Sequence, residues 1–227
     1  MDPKREGRMS IEVVFLDVGG ILYRDDGYAR ALRRGLRELG ARFTDLEFEE
    51  AYAECRRTQA GSFREQLARR YLGSDARVGD LERHAAVWWH YGPQDLEPDA
   101  IPTLELLARR YRLGLVANQP SAVREALERD GLARFFEVRA VSEDLGLEKP
   151  DPRIFRHAIE AFGVRPDACA MVGDRLDHDV RPARAVGMRA VWVLRGEAPD
   201  EPTPEQLSEA DAAIHGLGEL PEVLARW

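Results

Sequence analysis

Five short apolar runs recur along the chain, and helical patterns separate the later ones. They are "IEVVFLDV" (11–18), "RLGLVAN" (112–118), "FEVRAVS" (136–142), "ACAMVGD" (168–174) and "RAVWVL" (189–194). Their apolar character is nearly continuous, which marks strands covered on both faces. The intervening segments carry helix punctuation. "SAVREALERDG" (121–131) opens on Ser121, an N-cap type, and closes on Gly131. "DPRIFRHAIEAFG" (151–163) has Pro152 in its first turn and Gly163 at its end. "HDVRPARAVG" (178–187) is shorter, with Pro182 placed for a first turn. Strands alternating with helices through short links predict a doubly wound, mostly parallel, Rossmann-like α/β sheet with helices on both faces.

One block breaks the alternation. Residues 25–93 contain no convincing strand, only helical stretches such as "YARALRRGLRELG", where Ala31, Leu32, Leu36 and Leu39 make an apolar stripe. The block reads as an all-α insert after the first strand, a cap domain over the sheet. The core domain is then 10–24 with 94–227, and residues 1–9 are a loose arm. "GEAPDEPTPEQ" (196–206) reads as a surface loop, and "GELPEVLARW" as a terminal helix packing Leu220, Leu224 and Trp227.

Composition narrows the function classes. The net charge of −8 over 227 residues argues against general nucleic-acid binding, which calls for a basic face. No segment approaches the ~18 apolar residues of a membrane span, and the charged start has no apolar stretch typical of a secretory signal. Cys55 and Cys169 lie far apart and read as reduced fillers. A cytoplasmic protein is expected, as a monomer or homodimer. Of 33 basic residues, only Lys4 and Lys149 are lysine, so Lys149 in "LGLEKPDPRIF" stands out.

Ligands of an open parallel sheet bind beyond the carboxyl ends of its strands. Asp17, Asn118, the segment Ser142 to Asp144, and Asp174 fall there. In "VGDRLDHDV" (172–180), Asp174 is followed by Asp177 and Asp179. Carboxylates suit Mg²⁺, which keeps several waters and takes one or two protein carboxylates. Asp17 and Asp174 are the first candidates, and Asp179 is placed to orient metal waters or Lys149. Asp177 reads as a helix-start acid, and His178 as a solvent-facing turn residue. Trp88 and Trp89 read as core of the insert, and Arg24 as an exposed arginine.

Four stretches, "FLDVGGIL", "LGLVANQ", "LEKPDPRIF" and "MVGDRLDHDV", together resemble the haloacid dehalogenase superfamily, more narrowly its subfamily with an α-helical cap after the first strand. The resemblance implies that Asp17 is a nucleophile forming an aspartyl intermediate. It implies Mg²⁺ held by Asp17 and Asp174, with the Gly19 carbonyl and Asp179 completing the metal set. Lys149 balances charge on Asp17 and the substrate, a small phosphorylated metabolite lined by Ala117, Asn118 and Gly20. Cations offset the repulsion between a carboxylate and a phosphate dianion.

This chain departs from the family pattern. Gly19 stands where its phosphatases carry a second aspartate, the general acid–base, a role typically contributing ~10²–10⁴ in rate, roughly 3–5 kcal/mol of barrier. Ala117 stands where a serine or threonine is usual, and Asn118 is placed to substitute through its side-chain amide. Ile21 replaces a common threonine. His84, His90 and Tyr91 in the insert are candidates for the missing acid. Two alternatives follow. One is a catalytically weak or inactive anion-binding or regulatory protein. The other is a 2-haloacid dehalogenase, whose halide leaves without a proton, although the acids of "GDRLDHD" count against it.

Overall fold

The computed structural model describes residues 10–227; the arm expected over residues 1–9 lies outside the described residues. Strands β1 (Val13–Leu16), β2 (Arg112–Ala117), β3 (Phe136–Val141), β4 (Cys169–Gly173), β5 (Arg189–Val193) and β6 (Ala212–Ile214) form one sheet. Their order is β3-β2-β1-β4-β5-β6, and every pairing is parallel. The first five match the five apolar runs. β1 is central because both its faces are apolar. Val14 and Leu16 join one core cluster, and Val13 and Phe15 the other. Phe15 meets Phe162 edge to face at 5.2 Å. Full burial of such a side chain contributes about 1.5–3 kcal/mol.

Helices α1 (Asp26–Glu38), α2 (Asp45–Thr58), α3 (Phe63–Leu72) and α4 (Val78–Ala86) fill the stretch between β1 and β2 and share an apolar cluster of their own. Ala31, Leu32 and Leu36 of α1 are buried in it, with Leu39 at its margin. Thr44 and Glu47 form a reciprocal capping box at the start of α2. The two ends of this block are zipped together by an antiparallel bridge between Tyr23 and Leu96, with Arg24 N donating to Asp95 O and Glu97 N to Leu22 O. Trp89 is partly buried and packs on both neighbouring clusters, but Trp88 is 42% exposed, contrary to the core position expected for it. Its ring lies under the Arg34 guanidinium and its indole N–H donates to Glu38, so polar partners hold it at the surface.

Past the block, α5 (Ala100–Leu107), α6 (Val123–Arg129) and, near the C-terminus, α11 (Leu220–Leu224) cover one sheet face. Between them in sequence, α7 (Ser142–Leu145) is one turn at the end of β3, α8 (Pro152–Phe162) and α9 (Arg181–Ala185) cover the other face, and α10 (Pro204–Ser208) follows β5. Asp151 caps α8 by accepting from Arg153 N, and Gly163 ends it at φ 67°. Ser121 does not cap α6; its hydroxyl donates to Asp144 instead. The stretch 196–206 is only partly a surface loop. Ala198 is buried, and its carbonyl accepts from Arg56 of α2.

Candidate active site

The strand order reverses beside β1, which lies between β2 and β4. The crevice beyond its carboxyl end is where such sheets bind ligands. Asp17 follows β1 there, and its Oδ1 accepts from Val18 N at 2.7 Å. Asp174 follows β4. The buried Trp192 indole donates to its carbonyl at 2.8 Å, and Glu197 N donates to its Oδ2 at 2.6 Å. Asp179 lies in a π-type turn over Leu176–Val180 and is fully buried. Its Oδ2 accepts from Arg175 N at 3.0 Å. Gly173 has no side chain to block this approach of the Asp179 carboxylate.

Lys149 joins these acids. It is buried, and its Nζ lies 2.9 Å from Asp17 Oδ2 and 2.6 Å from Asp179 Oδ1. The loop bearing it is clamped by Asn118: Lys149 N donates to Oδ1 at 2.7 Å, and Nδ2 donates to the Lys149 carbonyl at 2.8 Å. The Asn118 amide thus positions Lys149, and Asn118 also lines the cavity on the substrate side expected of it. Ala117 is fully buried at the end of β2 and is not among the residues lining the cavity.

Asp17, Asp174 and Asp179 each offer an oxygen within 4.8 Å of the others. Lys149 alone does not balance them. Burial pushes the Asp17 carboxyl up to about 6 against the lowering pull of Lys149. Burial, with Asp179 and Glu197 adding repulsion, raises Asp174 well above the usual carboxylate range. Burial would lower the Lys149 ammonium, but Asp17 and Asp179 outweigh it and hold it above its ordinary value. A set of hard oxygen donors short of positive charge fits a divalent cation.

Two glycines give Asp174 its room. Gly20 has φ 67°, and a Cβ there would stand 2.7 Å from Asp174 Cγ. Gly196 packs opposite, its own Cβ position only 2.6 Å from Gly20 Cα. Gly20 therefore cradles Asp174 instead of lining the cavity. Gly19 does line it.

The cavity holds about 690 Å³ and is bounded by Asp17, Lys149 and Asp174 on one side and by Tyr28, Arg64 and Trp89 of the helical block on the other. His178 lines it too. That side chain is 14% exposed and sits 2.9 Å from Asp177 Oδ1, so it does not face solvent. Asp177 is not a helix cap. Its Oδ2 accepts from Gly61 N at 2.7 Å, and Arg175 grips both its oxygens at 2.9 and 2.8 Å. Arg175 also donates to the Gly61 carbonyl and to Glu197. Gln59, at φ 49°, ends α2 beside this network. The sequence pattern singled out neither Arg175 nor Gln59 nor Glu197, each of which bonds at least one segment distant in the chain. Cys55 is a free, buried thiol beside Arg175, and Cys169 is likewise free and buried.

Of the insert residues considered as acids, His84 is turned to the Asp80 carbonyl, at 2.9 Å. Neither His84 nor His90 lines the cavity. Tyr91 is buried, and its hydroxyl donates to Asp25 Oδ1 at 2.9 Å while accepting from Gln119 Nε2 at 3.1 Å. Asp25 lines the cavity with Asp17 and Gly19. In sequence it reads only as the first residue of the helical insert.

Fold and cluster define an α/β protein with an acidic ligand site at the carboxyl edge of a parallel sheet. Within that class, the chain belongs to the haloacid dehalogenase-like hydrolases, whose family model matches residues 11–187. It is 42% identical over 149 residues to the phosphoserine phosphatase of Thermus thermophilus, a match covering 63% of this chain and 59% of that protein, less than two thirds of its length. It is 35% identical over 204 residues to the glyceraldehyde 3-phosphate phosphatase of Methanopyrus kandleri, covering 84% of this chain and 87% of the relative. Among solved structures, a HAD phosphatase from Thermococcus onnurineus superposes with a TM-score of 0.63 at 29% identity, over 94% of this chain and 98% of that one. Among the described residues, no helix is long and apolar enough to cross a membrane.

Proposed function

We propose that the protein is a Mg²⁺-dependent phosphatase that cleaves a small phosphorylated metabolite through an aspartyl-phosphate on Asp17. The observation that carries this reading is the buried Lys149 ammonium, 2.9 Å from Asp17 and 2.6 Å from Asp179, in the lining of the shared cavity. Lys149 keeps Asp17 oriented and offsets the charge of an incoming phosphoryl group. Asp17 and Asp174 would hold the metal, with Asp179 fixing Lys149 beside them. When bound, Mg²⁺ supplies the remaining positive charge against phosphoryl oxygens. The phosphatase names of the relatives support the phosphate-ester class. A cavity of about 690 Å³ suits a metabolite-sized substrate. The helical block over residues 25–93 acts as the cap that selects it, placing Tyr28, Arg64 and Trp89 opposite the nucleophile. A cytoplasmic setting, with no nucleic acid among its partners, goes with this reading.

A second reading, a weak or inactive anion-binding member of the family, draws on Ala117, which puts no hydroxyl into the cavity. Turnover of a panel of phosphate esters separates the two. We expect Mg²⁺-dependent hydrolysis that chelation suppresses and Asp17→Asn abolishes. Turnover that survives Asp17→Asn removes the nucleophile assignment. No turnover of any ester by the wild-type protein favours the second reading.

A further inference from the structure

Gly19 deletes an acid from the chain, yet a carboxyl group occupies the space above it. A Cβ built on Gly19 would stand 2.8 Å from Asp25 Oδ1 and 2.9 Å from its Cγ, with Oδ2 nearer still. A carboxyl carried by residue 19 would have its carbon one bond, about 1.5 Å, beyond that Cβ. The Asp25 carboxyl therefore overlaps the place such a group would take. We propose that Asp25 is the general acid–base of the phosphatase reaction, supplied from the start of the inserted helices in place of a side chain at position 19. The proposal rests on the reading of Asp17 as nucleophile.

The side chain of Asp25 does not act as a helix cap. It stands at the N-cap of α1, where an aspartate ordinarily accepts from the first free amides of the helix. Here its side chain makes no such bond. It has no salt bridge among the described residues. Instead it turns into the cavity shared with Asp17 and Lys149. Tyr91 holds it by Oδ1 alone, leaving Oδ2, the oxygen nearest Gly19, without a hydrogen bond among the described residues. Tyr91 is fixed in turn by Gln119 and by stacking on Tyr23 at 4.5 Å. Tyr91 is thus a positioning residue for Asp25.

The chemistry balances. In the first step an Asp17 oxygen donates its lone pair to phosphorus, and the bond from phosphorus to the alcohol oxygen breaks. The leaving oxygen takes both bonding electrons and the Asp25 proton, and departs as the alcohol. In the second step water attacks the phosphorus of the aspartyl-phosphate and gives one proton to the Asp25 carboxylate. The bond from phosphorus to Asp17 breaks, its electrons return to Asp17, and hydrogen phosphate leaves with the other water proton.

The test compares two leaving groups. One substrate is 4-nitrophenyl phosphate, whose phenolate leaves without a proton. The other is the best alkyl ester from a panel of sugar, amino-acid and polyol phosphates. With Asp25→Asn we expect kcat/KM on the alkyl ester to fall by about 10²–10⁴. On the aryl ester, kcat/KM should stay within about tenfold while kcat drops and a burst of nitrophenolate appears, because only the second step still needs the base. Moving the acid back is the complementary variant. Gly19→Asp combined with Asp25→Gly should recover at least tenfold of the alkyl-ester activity lost in Asp25→Gly, a gain of about 1.4 kcal/mol. Gly19→Asp alone should not help, since two carboxyls then compete for one space. If Asp17→Asn abolishes turnover but Asp25→Asn leaves the alkyl ester unaffected, the proposal fails alone. It also fails if a folded Asp25→Asn loses both esters equally. If the wild-type protein hydrolyses neither ester, the phosphatase reading and the proposal fall together.

Discussion

Gln59 is the most informative side chain for stability. It is fully buried and links the end of α2 to the segments around Asp174. Its Nε2 donates to the carbonyls of Arg56 at 2.8 Å and Glu197 at 2.7 Å, and its Oε1 accepts from the buried Leu176 N–H at 2.8 Å. Gln59→Ala removes all three bonds and strands the Leu176 donor and the Glu197 acceptor. The Leu176 donor is buried and the Glu197 acceptor part-buried, so at about 1–3 kcal/mol per stranded buried group the pair costs at most about 2–6 kcal/mol. Water admitted by the shortened side chain keeps the expected loss in the lower half, about 3 kcal/mol. The backbone supplies an internal control. Gln59 sits at φ 49° and ψ 45°, where any Cβ is strained and glycine is not. Gln59→Gly should therefore be more stable than Gln59→Ala by about 1 kcal/mol. That inverts the usual order for an exposed helical site, where alanine wins by about 1 kcal/mol. Urea melts followed by tryptophan fluorescence read both differences, with Trp192 buried beside Asp174 as a reporter. An alanine variant within about 0.5 kcal/mol of wild type, the range of an ordinary surface change, refutes the linking role. An alanine variant more stable than the glycine one refutes the left-handed backbone.

Two further outcomes follow from the geometry. Gly20→Ala puts a Cβ into the Asp174 carboxyl at a positive φ, so it should abolish measurable Mg²⁺ binding by calorimetry in a protein that still melts cooperatively; retained binding would contradict the cradle. Tyr23 OH donates to Asp130 Oδ2 at 2.9 Å, and Arg129 first, then Tyr23, hold the Asp130 carboxyl below its usual value. A depressed carboxylate stabilises fully above its unfolded pKa of about 3.9 and loses that contribution as pH falls through the lower folded value. Tyr23→Phe should therefore cost about 1–2 kcal/mol at neutral pH, with the gap to wild type closing below about pH 4; a gap independent of pH down to 2 would refute it.

What the sequence disclosed follows a physical divide. The five long strands were legible because burial on both faces writes an unbroken apolar run, as in Val13–Leu16. β6 was not, because "AAI" at the sheet edge is three residues with only Ile214 buried. α5 was passed over between stronger signals. Asp17, Asp174 and Asp179 could be read because each sits in a local motif tied to a strand end, and Lys149 because it is a rare lysine in a short distinctive loop. Asp25, Gln59, Arg175 and Glu197 could not. Each depends on at least one contact far off in the chain, and an aspartate ahead of a helix looks the same whether it caps the helix or turns away. The loop after β5 read as surface because it is rich in Pro and acids, yet its Glu197 amide is spent on Asp174.

An acid at position 19 would ride on the rigid sheet. Asp25 instead stands at the root of the helical block, just past the Tyr23–Leu96 zipper through which both connecting chains pass. With the proposed acid mounted there, the proton donor is held by Tyr91 and, through it, Gln119 at the joint between block and sheet, while the nucleophile follows β1. Under that proposal, a change at the joint would reach leaving-group protonation without touching the strand that carries Asp17.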